Sequence, residues 1–120
     1  MPKAPDPAPR KPLSLPVVYI LIALADGDRH GYAIKQDVEE RTAGAIRLGP
    51  GTLYEAIQRL EEDGLIAESG TKASANGQEA QRRYYSLTAR GLSVLQSEIR
   101  HLGQLVDDAR RNPRLRKGLA

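Results

Sequence analysis

The sequence predicts a mainly α-helical fold with one small β-hairpin, and two observations carry this prediction. Three helical segments bounded by capping residues, proline or glycine precede two short segments that have the character of strands. A longer segment then repeats apolar residues at helical spacing almost to the end of the chain. Three helices followed by a β-hairpin are the winged helix-turn-helix arrangement. The 120 residues therefore fit one such domain with a long C-terminal helix added.

Capping residues and glycines set the bounds of the first two helices. The first begins at Ser14, whose hydroxyl can accept a hydrogen bond from the first turn, and it ends near Asp26 because a glycine follows. The second begins near Gly31 and ends at residues 42–44. Both helices are short, as expected for a domain of this size.

The third helix has the clearest bounds, from the pair Gly49-Pro50 to the residue before Gly64. Proline at the first helical position sacrifices no hydrogen bond, and glycine often follows the last one. Its inner side is formed by Leu53, Ile57 and Leu60. In this arrangement the third helix enters the major groove of DNA.

The two strands cover residues 65–69 and 82–87. Tyrosines and alternation mark the second strand, and they put Tyr85 on the same inward face as Leu87. The intervening stretch 70–81 is polar and longer than most hairpin loops, which favours a functional loop.

The fourth helix follows Thr88, a residue that can cap it. Its apolar residues are separated by three and four positions in turn, the spacing of a coiled-coil seam. We therefore expect this seam to bind the same helix of a second copy. The alternative is that it packs on the first helix of its own chain. The predicted interface residues are Leu92, Leu95, Ile99, Leu102 and Val106.

Composition divides the chain into four parts. Residues 1–13 are a basic, proline-rich arm that we expect to be disordered, and 14–87 are the winged helix-turn-helix domain. Residues 88–110 are the dimerisation helix, and 111–120 are a basic tail expected to be frayed.

The net charge of +3 comes from the ends, because residues 1–12 carry +2 and the tail carries +4. The middle is therefore −3, and any DNA-binding face there depends on local clustering.

Several classes of protein are disfavoured. There is no cysteine, and the two histidines, His30 and His101, fall on different helices without a carboxylate pair or nucleophile in a motif. The segment 49–51 lacks the lysine of a phosphate-binding loop. The apolar run 17–25 is shorter than the roughly 20 residues that a membrane span needs. We therefore expect no enzyme, no cofactor, no metal and no membrane, and a cytoplasmic protein.

Four short segments stand at the junctions of the predicted helices and strands. They are His30-Gly31-Tyr32-Ala33-Ile34, Gly49-Pro50-Gly51-Thr52-Leu53-Tyr54, Leu60-Glu61-Glu62-Asp63-Gly64-Leu65-Ile66 and Arg83-Tyr84-Tyr85-Ser86-Leu87-Thr88-Ala89-Arg90-Gly91. In this order and at this spacing the sequence resembles the PadR family of transcriptional regulators, over about residues 14–110. One departure is Gly49, where such proteins often have serine. The resemblance implies a bacterial, cytoplasmic homodimer of the short subfamily, usually a repressor released by a small molecule.

The residue types suit contact with double-stranded DNA at an inverted-repeat operator. Gly51 lets the backbone approach a phosphate, and Thr52 and Tyr54 offer hydroxyl groups. Gln58 can bind adenine and Arg59 guanine in the major groove. Thr52 and Tyr54 could instead cap the helix and pack on the second helix. Gln58 and Arg59 could instead form an ordinary solvated face.

Basic residues outside the third helix complete the predicted DNA contacts. Lys35 on the second helix is a candidate for phosphate binding. The hairpin contributes Lys72, Arg82 and Arg83, which could reach the minor groove or its phosphates.

A small aromatic effector is a further expectation. It would bind between the fourth helices and the first helix of the partner, where Tyr19 is the one aromatic residue. The alternative function is a winged-helix module that binds proteins and not DNA, which the charge of −3 in the middle of the chain leaves open.

Overall fold

The computed structural model describes residues 11–72 and 82–119, and for residues 71, 72 and 82 the backbone alone. Most of the predicted arm and most of the predicted hairpin loop lie outside the described residues. The elements are α1 (Leu15–Ala25), β1 (Arg29–His30), α2 (Gly31–Arg41), α3 (Pro50–Glu62), β2 (Ile66–Lys72), β3 (Arg82–Leu87), α4 (Ala89–Arg110) and α5 (Pro113–Arg116), followed by a 3-10 turn (Lys117–Leu119).

The predicted fold class is confirmed, and the capping residues fulfil their expected roles. The Ser14 hydroxyl accepts a hydrogen bond from the Val17 amide at 3.4 Å, and the Thr88 hydroxyl accepts one from the Gly91 amide at 2.9 Å. These bonds satisfy amide groups that a helix leaves unpaired in its first turn. The four principal helices therefore begin within about one residue of the positions that the sequence indicates.

Within residues 11–72 and 82–119 the sheet has three antiparallel strands in the order β1-β3-β2, where the sequence indicated only the hairpin. The extra strand β1 pairs Arg29 with Tyr85 and His30 with Tyr84. Two residues are too few to produce an alternating pattern, so β1 leaves no signal in the sequence. β2 also extends to Lys72, three residues beyond the predicted end, past an irregularity between Glu68 and Gly70.

The core is aliphatic and joins all four long helices to the sheet. Tyr85 is buried in it, as predicted. α1 supplies the largest share and is surrounded by α2, α4 and β3. The buried residues of the whole core are Val18, Ile20, Leu21, Leu24, Ile34, Val38, Leu48, Leu53, Ile57, Leu60, Leu65, Ile66, Tyr85, Val94 and Leu95.

The apolar seam of α4 is divided between two faces in the single chain. Leu95 is buried in the core of its own chain, and Leu102 packs against that core. Leu92, Ile99 and Val106 remain 45%, 46% and 43% exposed. The heptad spacing predicted one continuous apolar face on α4, but α1 covers only part of that face. We refer to Leu92, Ile99 and Val106 as the exposed stripe.

The C-terminal tail is helical in part, in contrast to the frayed end that the sequence suggested. The side chain of Asn112 accepts a hydrogen bond from the Arg114 amide at 2.9 Å, and Pro113 occupies the first helical position. None of the residues in α5 is buried. Within the described residues, no helix is both long and apolar enough to cross a membrane.

Candidate nucleic-acid interface

The outer face of α3 is not covered by any of the residues that the structure describes. Leu53, Ile57 and Leu60 are buried on the inner side, which fixes the helix against the core. The predicted contact residues all lie on the other side and are exposed, with 53% of Tyr54 accessible. They are Gly51, Thr52, Tyr54, Gln58 and Arg59.

The N-terminus of α3 differs from those of the other α-helices in the described part of the chain. Gly49 at the cap position has no side chain, and no side-chain hydrogen bond closes the first turn. The amides of Gly51 and Thr52 therefore face outward without a cap, and the helix dipole there favours an anion such as a phosphate. The other α-helices are capped by Ser14, His30, Thr88 and Asn112.

The start of α2 and the start of α3 meet at Gly31 and Tyr54. Gly31 is buried, and a Cβ atom at this position would lie 2.7 Å from the Tyr54 hydroxyl oxygen. The ring of Tyr54 thus packs on α2, as one alternative proposed, while half of its surface stays accessible. The first two family-like segments therefore set the position of α3 relative to α2.

The other two segments meet where the hairpin passes into α4. The Thr88 hydroxyl donates to the Gly64 carbonyl oxygen at 2.7 Å, and the Thr88 amide donates to the Leu65 carbonyl oxygen at 3.1 Å. A Cβ atom at Gly91 would fall on that same Leu65 oxygen, well inside van der Waals contact. The end of α3, the hairpin and α4 are therefore locked together at one point.

Lys35 is held by interactions within α2. Its ammonium nitrogen lies 3.0 Å from a Glu39 carboxylate oxygen and 6.0 Å from the centre of the Tyr32 ring. A phosphate would have to compete with Glu39 for this cation. Lys35 is therefore a weaker candidate than its position on α2 indicated.

Arg83 is the predicted hairpin cation whose side chain is described. It is exposed, and its Nε lies 3.3 Å from a Glu68 carboxylate oxygen on β2. Lys72 and Arg82 face each other at the outer end of the β2–β3 pair, and their side chains lie outside the described part of the structure. On the buried side of the same sheet, burial raises the pKa of Tyr85 above its ordinary value.

Two exposed arginines near α3 were not among the predicted contacts. Arg47 lies in the connection between α2 and α3 and donates from Nε to the Gly44 carbonyl oxygen at 3.3 Å. Arg90 donates from Nε to the Asp63 carbonyl oxygen at 3.1 Å, at the end of α3. Each lies outside the helical face that the sequence pattern singled out. A positive residue two positions before the Gly49-Pro50 pair was the available signal for Arg47.

A network of charged residues fixes α2 to α1 behind the exposed face. Arg41 forms ion pairs with Asp37 on its own helix, at 2.6 Å, and with Asp26 at the end of α1. The hydrogen bond with Asp37 raises the pKa of Arg41 further. The network therefore ties the end of α2 to the end of α1.

Tyr19 is the predicted effector-binding residue. Tyr19 is half-buried on α1 and packs against the core. Among the described residues, no group of three histidine, aspartate or glutamate side chains could hold a metal ion.

Comparison with known proteins gives one family and several relatives. Residues 20–97 match the model of the transcriptional regulator PadR-like family. A transcriptional regulator of Mycobacterium tuberculosis is 32% identical over 88 residues, which cover 73% of this chain and 76% of that protein. An uncharacterised 37.1-kDa protein from a transposon of Streptomyces fradiae is 37% identical over 86 residues. That match covers 72% of this chain but only 22% of the Streptomyces protein.

One solved structure bears on the candidate interface. The Bacillus subtilis PadR protein, in a crystal structure with operator DNA, superposes with a TM-score of 0.58. The match covers 69% of this chain and 45% of that protein, at 22% sequence identity. At this identity the likeness extends to the fold alone.

Proposed function

The chain belongs to the PadR-like family of transcriptional regulators, and we propose that it is a homodimeric repressor that binds an inverted-repeat operator. The family consists of regulators and not enzymes. The observation that carries the proposal is the uncovered outer face of α3, which begins with uncapped amides and continues with polar side chains. As an operator-binding protein, it would act in the cytoplasm of a bacterium.

In this proposal α3 enters the major groove with its first turns nearest the bases. Gly51 and Thr52 bind a phosphate through their amides, and Tyr54 adds its hydroxyl. Gln58 and Arg59 lie one to two turns further along and read adenine and guanine edges. Of the three acidic residues of α3, Glu61 and Glu62 lie at its C-terminal end, away from the closest phosphates, whereas Glu55 is exposed directly after Tyr54 and has to face away from the duplex backbone.

Basic side chains around α3 bind phosphates and fix the position of the protein along the duplex. Arg83 on the hairpin and Arg47 before α3 are exposed and bind backbone phosphates on either side of the groove. Lys72 and Arg82 extend the hairpin contact into the minor groove. Lys35 binds the DNA backbone when a phosphate oxygen replaces the Glu39 carboxylate as its partner.

Dimerisation follows from the exposed stripe of α4. Leu92, Ile99 and Val106 recur every seven residues, the spacing at which one helix meets another along a coiled coil. Pairing of the stripe with that of a second copy places two α3 helices about 34 Å apart, one turn of duplex DNA. A small aromatic effector bound beside Tyr19, between α1 and α4, would change this separation and release the operator.

Selection of bound duplexes from a random pool tests the proposal directly. We expect an inverted repeat with half-site centres about one helical turn apart, bound less tightly as salt rises. The control is Arg100→Ala, an exposed arginine on α4 away from α3, which should keep the selected site. A pool that yields no site, or binding insensitive to salt, would favour the protein-binding module instead.

A further inference from the structure

The C-terminal segment, residues 111–119, contains α5 and the 3-10 turn, and its apolar side chains are uncovered in the described structure. Leu115 and Leu119 are 51% and 38% exposed, and their spacing of four positions puts them on one side of the helical turns. The segment lies beyond residues 20–97, which the family model matches. It is therefore an ordered feature of this chain that the family match does not explain.

The same segment is strongly basic. Its cations are Arg111, Arg114, Arg116 and Lys117. Arg111 pairs with Asp108 at 2.5 Å, and the other three form no ion pair with any residue that the structure describes. Two exposed leucines among unpaired cations fit a surface that is apolar and carries an acid.

The described part of the chain has such a surface at the opposite end of α4. A shallow hollow of about 350 Å³ lies between the end of α1, the end of β3 and the start of α4. Leu24, Leu87 and Leu92 form its apolar wall, and the exposed Asp28 supplies its charge. Leu92 also belongs to the exposed stripe, so the hollow and the stripe form one continuous surface.

The hollow is out of reach of the C-terminal segment of its own chain. α4 separates the two, and its 22 residues span about 33 Å at a rise of 1.5 Å per residue. The hollow lies beside the first turn of α4, whereas the segment follows the last turn. A C-terminal segment in the hollow therefore comes from a second copy.

Antiparallel pairing of the exposed stripe brings the segment and the hollow together. In a symmetric dimer of this kind Ile99 meets its own counterpart, and Leu92 meets Val106 of the second copy. Residue 111 is as far beyond Ile99 as Leu87 is before it. The C-terminal segment of one copy therefore begins beside Leu87, which lines the hollow of the other.

The antiparallel register also fits the spacing of DNA. Thr88 lies eleven positions before Ile99, so the two copies of Thr88 are about 33 Å apart along the paired helices. Each Thr88 holds the end of α3 through its hydrogen bond to the Gly64 carbonyl oxygen. One turn of duplex DNA is about 34 Å long. A parallel register would instead leave the two starts of α4 about 10 Å apart, the distance between packed helices.

The exposed stripe by itself is a small interface. It offers three half-exposed side chains per copy, on the order of a few hundred Å² in the dimer. A specific, stable interface buries roughly 1,200–2,000 Å². Docking of both C-terminal segments adds four exposed leucine side chains to the buried surface, two from each copy.

We propose that residues 111–119 of each copy dock into the hollow of the other, with Leu115 and Leu119 against the apolar wall and the cations beside Asp28. This inference rests on the dimer proposed above and specifies what closes its two ends. Thr88 lines the hollow and also binds the end of α3. The docked segment therefore supports the helix that enters the DNA in the other copy.

Cross-linking shows whether the segment and the hollow meet. The sequence has no cysteine, so introduced cysteines react without background. We expect Ala89→Cys combined with Leu115→Cys to form a covalent dimer with a short bis-maleimide reagent, because α4 keeps the two positions of one chain apart. The matched control combines Leu115→Cys with Gln96→Cys, an exposed position about 10 Å further along α4, and should not react. No covalent dimer with Ala89→Cys, or an equal yield in the control, would overturn the proposal.

Sedimentation velocity measures the contribution of docking to the dimer. Residues 111–119 are exposed, so their deletion or substitution leaves the core of the protomer intact. Leu115→Asp combined with Leu119→Asp should raise the Kd of the dimer about tenfold or more, because four leucine side chains lose their cover. Deletion of residues 111–120 should have a similar effect. Gln104→Asp, at an exposed position of α4 outside the stripe, is the control and should keep the parent value.

Mixing two variants shows whether docking occurs between copies. Ala25→Arg places a large cation in the wall of the hollow at an exposed position, and this variant keeps its C-terminal segment. The deletion variant keeps its hollow and lacks the segment. A mixed dimer retains one docked segment, whereas each homodimer retains none. We therefore expect native mass spectrometry of an equal mixture to show more mixed dimers than the half that random pairing gives. Random pairing would contradict the proposal.

The association state and operator binding of the parent protein are measured in parallel. A monomeric parent would refute the proposed dimer and the docking together. A dimeric parent whose Kd is unchanged by the deletion would refute the docking alone. If that deletion variant also bound the operator less tightly, the segment would be a DNA contact and not a dimer contact.

Discussion

Replacing Ile99 with aspartate isolates dimerisation from folding. Ile99 is 46% exposed in the single chain, so its replacement leaves the core of the protomer largely intact. Leu95, which the sequence pattern placed in the same interface, is buried, and Leu95→Asp would unfold the protomer instead. Ile99→Asp therefore changes the association of two folded chains.

The structure gives the magnitude of this effect. Full burial of an isoleucine side chain is worth about 1.5–3 kcal/mol, so burial of the exposed half contributes about 1 kcal/mol per protomer. An unpaired carboxylate at the same place costs about 1–3 kcal/mol more. A symmetric interface counts both terms twice, so the dimer should weaken by about 4 kcal/mol or more, close to a thousandfold in Kd.

Sedimentation velocity over a range of protein concentrations measures this Kd. We expect monomers of Ile99→Asp at concentrations where the parent is dimeric, together with a matching loss of operator affinity. Gln104→Asp carries the same new charge at an exposed position outside the stripe and should remain dimeric. A dimeric Ile99→Asp would show that the exposed stripe is not the interface, and a monomer that binds the operator as tightly as the parent would show that dimerisation is not needed for binding.

Three other substitutions test the interface and the fold. Arg59→Ala should weaken operator binding by about 1–3 kcal/mol and relax the preference at one base pair, as measured by fluorescence anisotropy with single-base operator variants. Gly91→Ala should destabilise the protein by about 3 kcal/mol or more in a urea titration, since its methyl group meets the Leu65 carbonyl; an unchanged midpoint would contradict this. Because burial raises the pKa of Tyr85, its contribution to the free energy of unfolding should be constant below about pH 10 and should fall above it. Tyr85→Phe should reduce this fall, whereas the exposed control Tyr32→Phe should keep it.

The elements with strong local signals could be predicted from the sequence. Ser14 and Thr88 cap their helices as expected, because a short hydroxyl side chain before an apolar segment has few competing uses. Tyr85 was correctly assigned to the core, because strand alternation leaves only two faces. The family resemblance is explained by contacts between distant segments, such as Gly31 with Tyr54. Those contacts were not visible in the sequence.

The features that escaped prediction depend on tertiary packing. Leu95 and Ile99 have the same residue character and fit the same heptad spacing, and only the packing of α4 on the rest of its own chain makes one buried and the other exposed. Glu98 is buried on the same helix, which a hydrophobic pattern misses because it ignores charged positions. Lys35 was predicted to bind phosphate from its charge and position alone, and its ion pair with Glu39 makes it a weaker candidate.

Hydroxyl-radical footprinting on the selected operator shows whether two copies of α3 bind to one site. With the parent protein, we expect two protected patches related by the inverted repeat, with centres about 10 base pairs apart on one face of the duplex. Ile99→Asp should lose this footprint at the same protein concentration. Uniform protection without preferred positions, or a single patch with the dimeric protein, would contradict the claim that two copies present α3 to one operator.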